Sequence, residues 1–498
     1  MADKSNSDNQ ESKIGQFYDD KTVFITGATG FMGKVLVEKL LRSTRVKKIY
    51  LLIRPKKGIE TIVRLEELMS AKIFDKLKES SPDVISRVEA INGDITEPSF
   101  GIRKEDEQKM IEEVSVVFHS AATIKFDEDL TKAVNLNVVA VFTMIEICKK
   151  MKKLQALVHV STAYCNTEYK HISEEIYQTN GDPVAIIELC KRADPAVLNS
   201  PKMTAQIIGN KPNTYTFTKA LGESALVKEG GSLPIVIVRP SIVVAAWREP
   251  LPGWLENLNG PTGIVAGAGK GVLRTVYCKR EKIADLVPVD IPINLAIAAA
   301  WKIASQPHNS IPVYNCTSGS INPIRWGQLE TMGMAAIRKY PMENVLWYPG
   351  GSYKESALLN TICQLIFHSI PAYMMDSMAY LMGKKPVMVR VVEKMHKAQK
   401  AIEYFATNEW AWSNNNVEKL NKELTEVDRR TFNFDLSDLN WPDFIAVYVK
   451  GTRQFVFKED LSTLDEARKH TDKMFWVEKC LQIVLFIVFG KLFAWLFC

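Results

Sequence analysis

A tyrosine and a lysine four residues apart give this sequence its clearest capacity for acid–base chemistry. They are Tyr215 and Lys219, in the run Tyr215–Lys219 (YTFTK). On a helix, residues four apart share a face, so the phenol and the ammonium can point into one cleft. A free tyrosine has a pKa of about 10, and we expect a neighbouring cation to lower it. Tyr215 would then donate a proton to a carbonyl oxygen as that oxygen becomes anionic.

Two hydroxyl groups end the fifth strand-like run, in His159–Asn166 (HVSTAYCN). Ser161 or Thr162 could hydrogen-bond a substrate carbonyl and orient it, as an oxyanion site does. The sequence leaves both open and favours Thr162. His119 and His159 lie in apolar runs and are interpreted as core histidines, and no metal site is expected.

A glycine-rich turn, Thr26–Gly33 (TGATGFMG), follows a strand-like run and opens an amphipathic helix. Its glycines, at 27, 30 and 33, allow a tight turn and close approach of the backbone to a pyrophosphate. The N–H groups at the start of the helix would then meet the phosphate charge. This pattern predicts a dinucleotide site, whose positive nicotinamide ring would further lower the pKa of Tyr215.

The end of the second strand-like run indicates which dinucleotide binds. A site for NAD carries an acidic residue there, whereas this chain has Arg54 and Lys56. A cation suits a 2′-phosphate, so NADPH is favoured, with Arg54 the stronger candidate. Asp94 lies after the third strand and either joins the site or caps a turn. The predicted cofactor-binding residues are Thr26, Gly27, Thr29, Gly30, Phe31, Gly33, Arg54, Lys56, Asp94, Ile95, Ser120, Ala121, Ala122, Tyr215 and Lys219.

These residues require a doubly wound parallel sheet, which the pattern of the chain predicts. Short apolar runs alternate with helical patterns, as expected for a Rossmann α/β fold. The predicted strands are Val23–Thr26, Ile49–Ile53, Val88–Asn92, Val114–His119, Ala156–Ser161 and Ile235–Val238. We expect a polar arm over residues 1–20, the cofactor-binding domain over 21–340, a mostly helical domain over 341–458, and a linker and tail over 459–498.

Two apolar segments point toward lipid. Cys480–Cys498 (CLQIVLFIVFGKLFAWLFC) is close to the ~20 residues that a bilayer crossing needs. Basic residues just upstream favour a cytosolic catalytic portion. The tail either spans the membrane, lies in its interface or docks on the protein. Thr361–Gly383, broken by Pro371, fits an acyl tunnel, a membrane-facing wedge or ordinary core helices.

Composition excludes other classes of protein. The 498 residues carry a mild net charge of +6 and no basic run interleaved with aromatics, so a nucleic-acid partner is not expected. The eight cysteines are scattered without CxxC pairs and are interpreted as reduced thiols of a cytosol-facing protein.

From about Asp20 to Lys458 the chain resembles the extended short-chain dehydrogenase/reductase superfamily, and within it the eukaryotic fatty acyl-CoA reductases, the insect members most of all. The motifs that carry this resemblance are Thr26–Gly33, Leu51–Lys56 (LLIRPK), Val160–Asn166 (VSTAYCN), Tyr215–Lys219, Arg239–Val243 (RPSIV), Pro252–Gly271 (PGWLENLNGPTGIVAGAGKG) and Phe432–Arg453 (FNFDLSDLNWPDFIAVYVKGTR). The last motif looks like the end of the helical "sterile" domain of that family.

The resemblance implies that long-chain fatty acyl-CoA is reduced by NADPH, through a hemithioacetal and an aldehyde, to a primary alcohol. Tyr215 would be the proton donor, Lys219 its electrostatic partner, and Ser161 or Thr162 the carbonyl clamp. Arg239, Lys270 and Arg274 either meet CoA phosphates or serve as structural charges. The endoplasmic reticulum is the expected membrane, with the peroxisome second. The alternatives are a membrane-bound steroid or nucleotide-sugar oxidoreductase of the same superfamily, and a non-catalytic lipid-surface scaffold.

Overall fold

Seven parallel strands form the central sheet of the computed structural model, which describes residues 11–56, 58–179, 181–306 and 310–497. The strands are β1 (Thr22–Thr26), β2 (Lys48–Ile53), β3 (Val88–Asn92), β4 (Val114–His119), β5 (Ala156–Val160), β6 (Ile235–Pro240) and β7 (Val313–Cys316). Their order is β7-β6-β5-β4-β1-β2-β3. The first six confirm the predicted strands to within two residues. The edge strand β7 was not predicted, because it has only four residues, two of them Asn315 and Cys316.

The strand order locates the ligand crevice. The chain winds outward from β1 in both directions, so the order reverses between β1 and β4. In open α/β sheets, ligands bind outside the carboxyl ends of the strands at such a switch point. All residues of β1 and β4 are buried, as expected for strands covered on both faces.

Helices cover both faces of the sheet. Four matter for the site: α1 (Phe31–Ser43), α2 (Leu130–Lys150, with a π-helical turn at Asn135–Val139), α3 (Thr214–Glu229) and α4 (Asp290–Ser305). The other helices up to residue 340 are Lys13–Tyr18, Thr61–Met69, Asp75–Ser80, Lys104–Glu113, Pro183–Arg192, Pro195–Leu198, Pro201–Ile208, Pro261–Gly269 and Trp326–Lys339. Within the described ranges, α2 is the one helix that meets a length-and-hydropathy criterion for a membrane span. It is a core helix, because most of that apolar stretch is buried and α2 packs against α3.

The C-terminal region is mostly helical and is joined to the sheet domain at many points. Its helices are α5 (Ala357–Gln364), α6 (Ile370–Leu381), α7 (Met388–Thr407), Asn415–Glu423, Glu426–Thr431, α8 (Trp441–Gly451) and α9 (Leu464–Phe497). Two short parallel strand pairs connect it to the first domain: Thr275–Tyr277 with Ser352–Lys354, and His171–Ile172 with Ala411–Trp412.

Both ends of the described chain contain packed helix. In the predicted N-terminal arm, Lys13–Tyr18 is helical and the buried Tyr18 hydroxyl donates to the Ile297 carbonyl at 3.0 Å, while residues 1–10 lie outside the described part. Helix α9 packs through its first half, where the Phe475 and Tyr348 rings lie 5.2 Å apart. Of the predicted tail, residues 480–497 continue α9 and Cys498 lies outside the described residues.

Candidate active site

The glycine turn between β1 and α1 has a backbone that only glycine permits. Gly27 has φ +80°, and a Cβ there would lie 2.8 Å from the Ala121 nitrogen. A Cβ on Gly33 would lie 2.2 Å from the Gly27 carbonyl oxygen. Gly30 caps α1 without a side chain, which leaves the first helical N–H groups available to an anion. The turn therefore fits a dinucleotide pyrophosphate.

The ends of β1 and β4 are tied together beside this turn. The Ser120 hydroxyl donates to the Thr26 carbonyl at 2.8 Å, and the Ala121 N–H donates to the Thr26 hydroxyl at 3.3 Å. Thr26 Oγ1 also lies 2.9 Å from His119 Nδ1. Thr29 and Gly30 are exposed at the crevice, Ala122 is partly buried, and the Phe31 ring stacks on Trp254 at 5.1 Å.

The cation predicted for the 2′-phosphate is at the end of β2. Arg54 is half exposed and pairs with Asp94 across 3.2 Å, while Asp94 also accepts from the Thr96 N–H at 3.0 Å. Partial burial acts to raise the pKa of Asp94, but hydrogen bonds from Thr96 and the charge of Arg54 hold it below its usual value. Asp94 thus caps a turn and also holds Arg54 at the sheet edge. Lys56 is exposed and Ile95 is partly buried nearby.

Tyr215 and Lys219 lie on one face of α3, as predicted. The Lys219 ammonium is buried and donates to the Val160 carbonyl at 2.7 Å. Burial lowers the pKa of Lys219 to about 8, against the opposing charge of Glu223.

The pKa of Tyr215 moves in the direction opposite to our expectation. Burial raises the pKa of Tyr215 to about 12, although a hydrogen bond from Thr162 acts to lower it. Desolvation of the phenolate is the largest effect on this pKa, and the Lys219 ammonium, which donates to the Val160 carbonyl, is not among its causes. A phenol that keeps its proton at neutral pH is the form a reduction requires.

The two candidate hydroxyls have different partners. The Ser161 hydroxyl donates to the buried Glu223 carboxylate. Glu223, one turn beyond Lys219, forms a buried ion pair with Arg239 at 2.6 Å. The Thr162 hydroxyl, in contrast, accepts from the Tyr164 N–H at 3.3 Å, donates to the Pro240 carbonyl at 3.5 Å and acts to lower the pKa of the Tyr215 phenol beside it. Of the two hydroxyls, that of Thr162 is therefore the one beside Tyr215.

An aromatic wall beside Tyr215 was not predicted. The Phe126 ring lies 5.7 Å from that of Tyr215 and 5.0 Å from that of Phe405, on α7. Lys397, also on α7, pairs with Asp127 at 2.8 Å. The C-terminal region thus completes one side of the site, although almost three hundred residues separate Phe126 from Phe405 and no local pattern reveals the contact.

The three cations considered for CoA phosphates have structural partners. Arg239 is fully buried with Glu223, Lys270 pairs with Glu459 at 2.7 Å, and Arg274 pairs with Glu478 at 2.7 Å. The histidines are in the core, as interpreted: burial lowers the pKa of His119 to about 3 and that of His159 as well. Neither ring nitrogen of His159 has a hydrogen-bonding partner among the described residues.

Comparisons with known proteins agree with this geometry. An NAD-binding family model described as male sterility protein matches residues 25–296, and a second model, also described as male sterility protein, matches 367–459. Human fatty acyl-CoA reductase 1 is 40% identical over 96% of this chain and 93% of its own length. Bovine fatty acyl-CoA reductase 2 is 39% identical over 97% and 93%.

Solved structures share the fold at low identity. The terminal reductase domain of the myxalamid synthesis pathway has a TM-score of 0.57 at 15% identity, covering 89% of this chain and 93% of its own. The reductase domain of a nonribosomal peptide synthetase from Mycobacterium tuberculosis has a TM-score of 0.56 at 16% identity, covering 87% and 91%. With near full-length relatives of one kind and both family models matched, this chain belongs to the fatty acyl-CoA reductase family.

Proposed function

We propose that this chain reduces long-chain fatty acyl-CoA to the primary alcohol and releases CoA, with NADPH as the reductant. One observation carries the proposal: Tyr215 and Lys219 share one face of α3, where the Lys219 ammonium donates to the Val160 carbonyl at the end of β5 and the Tyr215 phenol lies beside Thr162. In balance, an acyl-CoA, two NADPH and two protons give the alcohol, CoA and two NADP⁺. The hemithioacetal formed first loses CoA to leave an aldehyde, which is reduced in turn.

Bound NADPH supplies the hydride at the carbonyl carbon, and the protein supplies the remaining chemistry. Tyr215 donates its proton to the carbonyl oxygen as negative charge develops there. Lys219, held by the Val160 carbonyl, stabilises the phenolate that remains. Thr162 donates a hydrogen bond to the same oxygen, and Phe126 and Phe405 restrict water on one side.

The residues at the crevice fit the proposed cofactor. The glycine turn and the start of α1 would hold the pyrophosphate, and Arg54 would leave Asp94 for the 2′-phosphate. Lys219 would also bind the nicotinamide ribose. We assign supporting contacts to Thr26, Thr29, Phe31, Lys56, Ile95, Ser120, Ala121 and Ala122, which line the turn and the neighbouring strand ends.

We further propose that α9 attaches the protein to a membrane and keeps the catalytic portion in the cytosol. Beyond Lys479, apolar side chains of α9 such as Ile483 and Phe486 are exposed. An exposed helix of such residues is disfavoured in water and stable in lipid. The endoplasmic reticulum is our first assignment and the peroxisome the second.

Stoichiometry tests the proposed reaction. Membranes carrying the full chain receive hexadecanoyl-CoA and NADPH, and NADPH consumed, CoA released and lipid products are measured together. We expect two NADPH oxidised per CoA, with alcohol as the product. One NADPH per CoA with accumulating aldehyde would contradict the alcohol-forming assignment, and no CoA release would contradict the substrate.

A further inference from the structure

An extended apolar surface on the C-terminal region is not used by the active site. It spans residues 357–391 and comprises α5, a π-helical turn, α6 and the start of α7. We call this segment the apolar hairpin. Its most exposed large side chains include Leu358 at 73%, Tyr380 at 75% and Leu381 at 84%. Single exposed apolar residues are common, but a contiguous surface of them marks an interaction site.

The hairpin is held firmly at its base. His368 Nε2 accepts from the Arg274 N–H at 2.8 Å, and the Thr275 hydroxyl donates to Asn360 Oδ1 at 2.8 Å. At the other end, Asp376 accepts from the N–H groups that open α7. The exposed faces are thus fixed outward, which disfavours the interpretation of this segment as core helices.

The tail helix leaves the fold at the same place. Arg274, whose backbone holds His368, pairs through its guanidinium with Glu478 of α9 at 2.7 Å. Exposed Leu481, Ile483 and Phe486 follow directly on α9. Arg274 of the sheet domain therefore contacts both the hairpin and α9, just before the exposed apolar part of α9 begins.

Exposed basic and aromatic residues lie on the apolar hairpin and next to it. Between 384 and 394 the chain carries Lys384, Lys385, Arg390 and Lys394 against a single acid, Glu393, and all of these are exposed. Cations beside an apolar helix complement anionic lipid headgroups. Exposed Tyr373, Tyr380 and Trp476 are of the type enriched at membrane interfaces.

We propose that the apolar hairpin enters the cytosolic leaflet of a phospholipid bilayer next to the tail, so that the protein holds the membrane at two adjoining points. The proposal rests on the membrane attachment proposed above. Helix α7 starts in the hairpin and carries Phe405 to the aromatic wall of the active site. Its 20 residues span about 30 Å at ~1.5 Å per residue, so one helix joins the proposed lipid contact to the aromatic wall.

Photo-crosslinking of the full chain tests whether the apolar hairpin enters the lipid. A photoreactive amino acid replaces Leu381 or, as a matched control, Val197, an exposed apolar residue of the sheet domain. The protein is placed in vesicles of phosphatidylcholine and phosphatidylserine and irradiated. We expect phospholipid adducts several-fold more abundant at 381 than at 197.

Equal lipid labelling at positions 381 and 197 would overturn the proposal. A crosslinked dimer at 381 without lipid adducts would also overturn it, and would identify the hairpin as a contact between copies of the chain. Alcohol formation is measured in the same vesicles. If alcohol forms but no lipid adducts appear at 381, the proposed insertion of the hairpin is wrong and the proposed reaction stands. If lipid adducts appear but no alcohol forms, the proposed reaction is wrong and the insertion stands.

Discussion

Because Ser161 and Thr162 have different partners, we expect their substitution to affect activity and stability to different extents. Both hydroxyls are buried at the end of β5, but only Thr162 contacts Tyr215. Ser161 is committed to Glu223, which is itself paired with Arg239. Thr162→Val therefore removes a donor to the reacting oxygen, whereas Ser161→Ala removes a hydrogen bond to a buried carboxylate.

The expected losses of kcat and of folding stability differ between the two variants. Loss of one oxyanion-type donor lowers kcat by about 10²–10³. Loss of a hydrogen bond to a charged group costs about 1.5–3 kcal/mol of stability, so Ser161→Ala should unfold at lower urea concentration. Its kcat should fall by less than about tenfold, or ~1.4 kcal/mol in barrier.

The assay measures alcohol formation at saturating NADPH and acyl-CoA, alongside urea unfolding of each variant. Thr162→Val should lose most of its activity and, because the Thr162 hydroxyl also accepts from the Tyr164 N–H, about 1 kcal/mol of stability. Ser161→Ala should lose more stability and much less activity. A larger loss of kcat in Ser161→Ala than in Thr162→Val, with both proteins folded and binding NADPH, would refute the assignment.

Three further predictions concern the cofactor and the lysine. Because the pKa of Lys219 lies at about 8, its ammonium is present below that pH and lost above it, so kcat should fall as pH rises through 8; a rate that is unchanged up to pH 9 would exclude this role. Arg54→Ala should weaken the binding of NADPH by about 1.5–3 kcal/mol in a fluorescence titration and leave the binding of NADH almost unchanged. If the variant keeps the wild-type preference for NADPH, Arg54 does not bind the 2′-phosphate. Gly27→Ala should abolish NADPH binding because its Cβ meets backbone at 2.8 Å, whereas Gly209→Ala, also at positive φ but with nothing within 4 Å, should keep it; retained binding in Gly27→Ala would contradict the fit of the turn.

Local patterns predicted the parts of this protein that local physics determines. Buried parallel strands are continuous apolar runs, so six of them could be read from the sequence. The glycine spacing follows from steric contacts within one turn, and the shared face of Tyr215 and Lys219 follows from helical geometry.

Features that depend on tertiary packing were missed or mistaken. The pKa of Tyr215 rises because the phenol is buried, and burial at that position depends on distant segments such as Phe126 and α7. The role of Ser161 depends on Glu223. Glu223 lies four residues after Lys219, so helical spacing already predicts that the two side chains share a face near the site.

Tyr215→Phe tests the central claim most directly, because it removes one hydroxyl and keeps the ring against Phe126. NADPH binding and alcohol formation from hexadecanoyl-CoA are measured on the same preparation. We predict NADPH affinity close to wild type and a rate lower by about 10²–10⁴, the usual contribution of a positioned proton donor. Alcohol formation at the wild-type rate would show that the proton comes from another group.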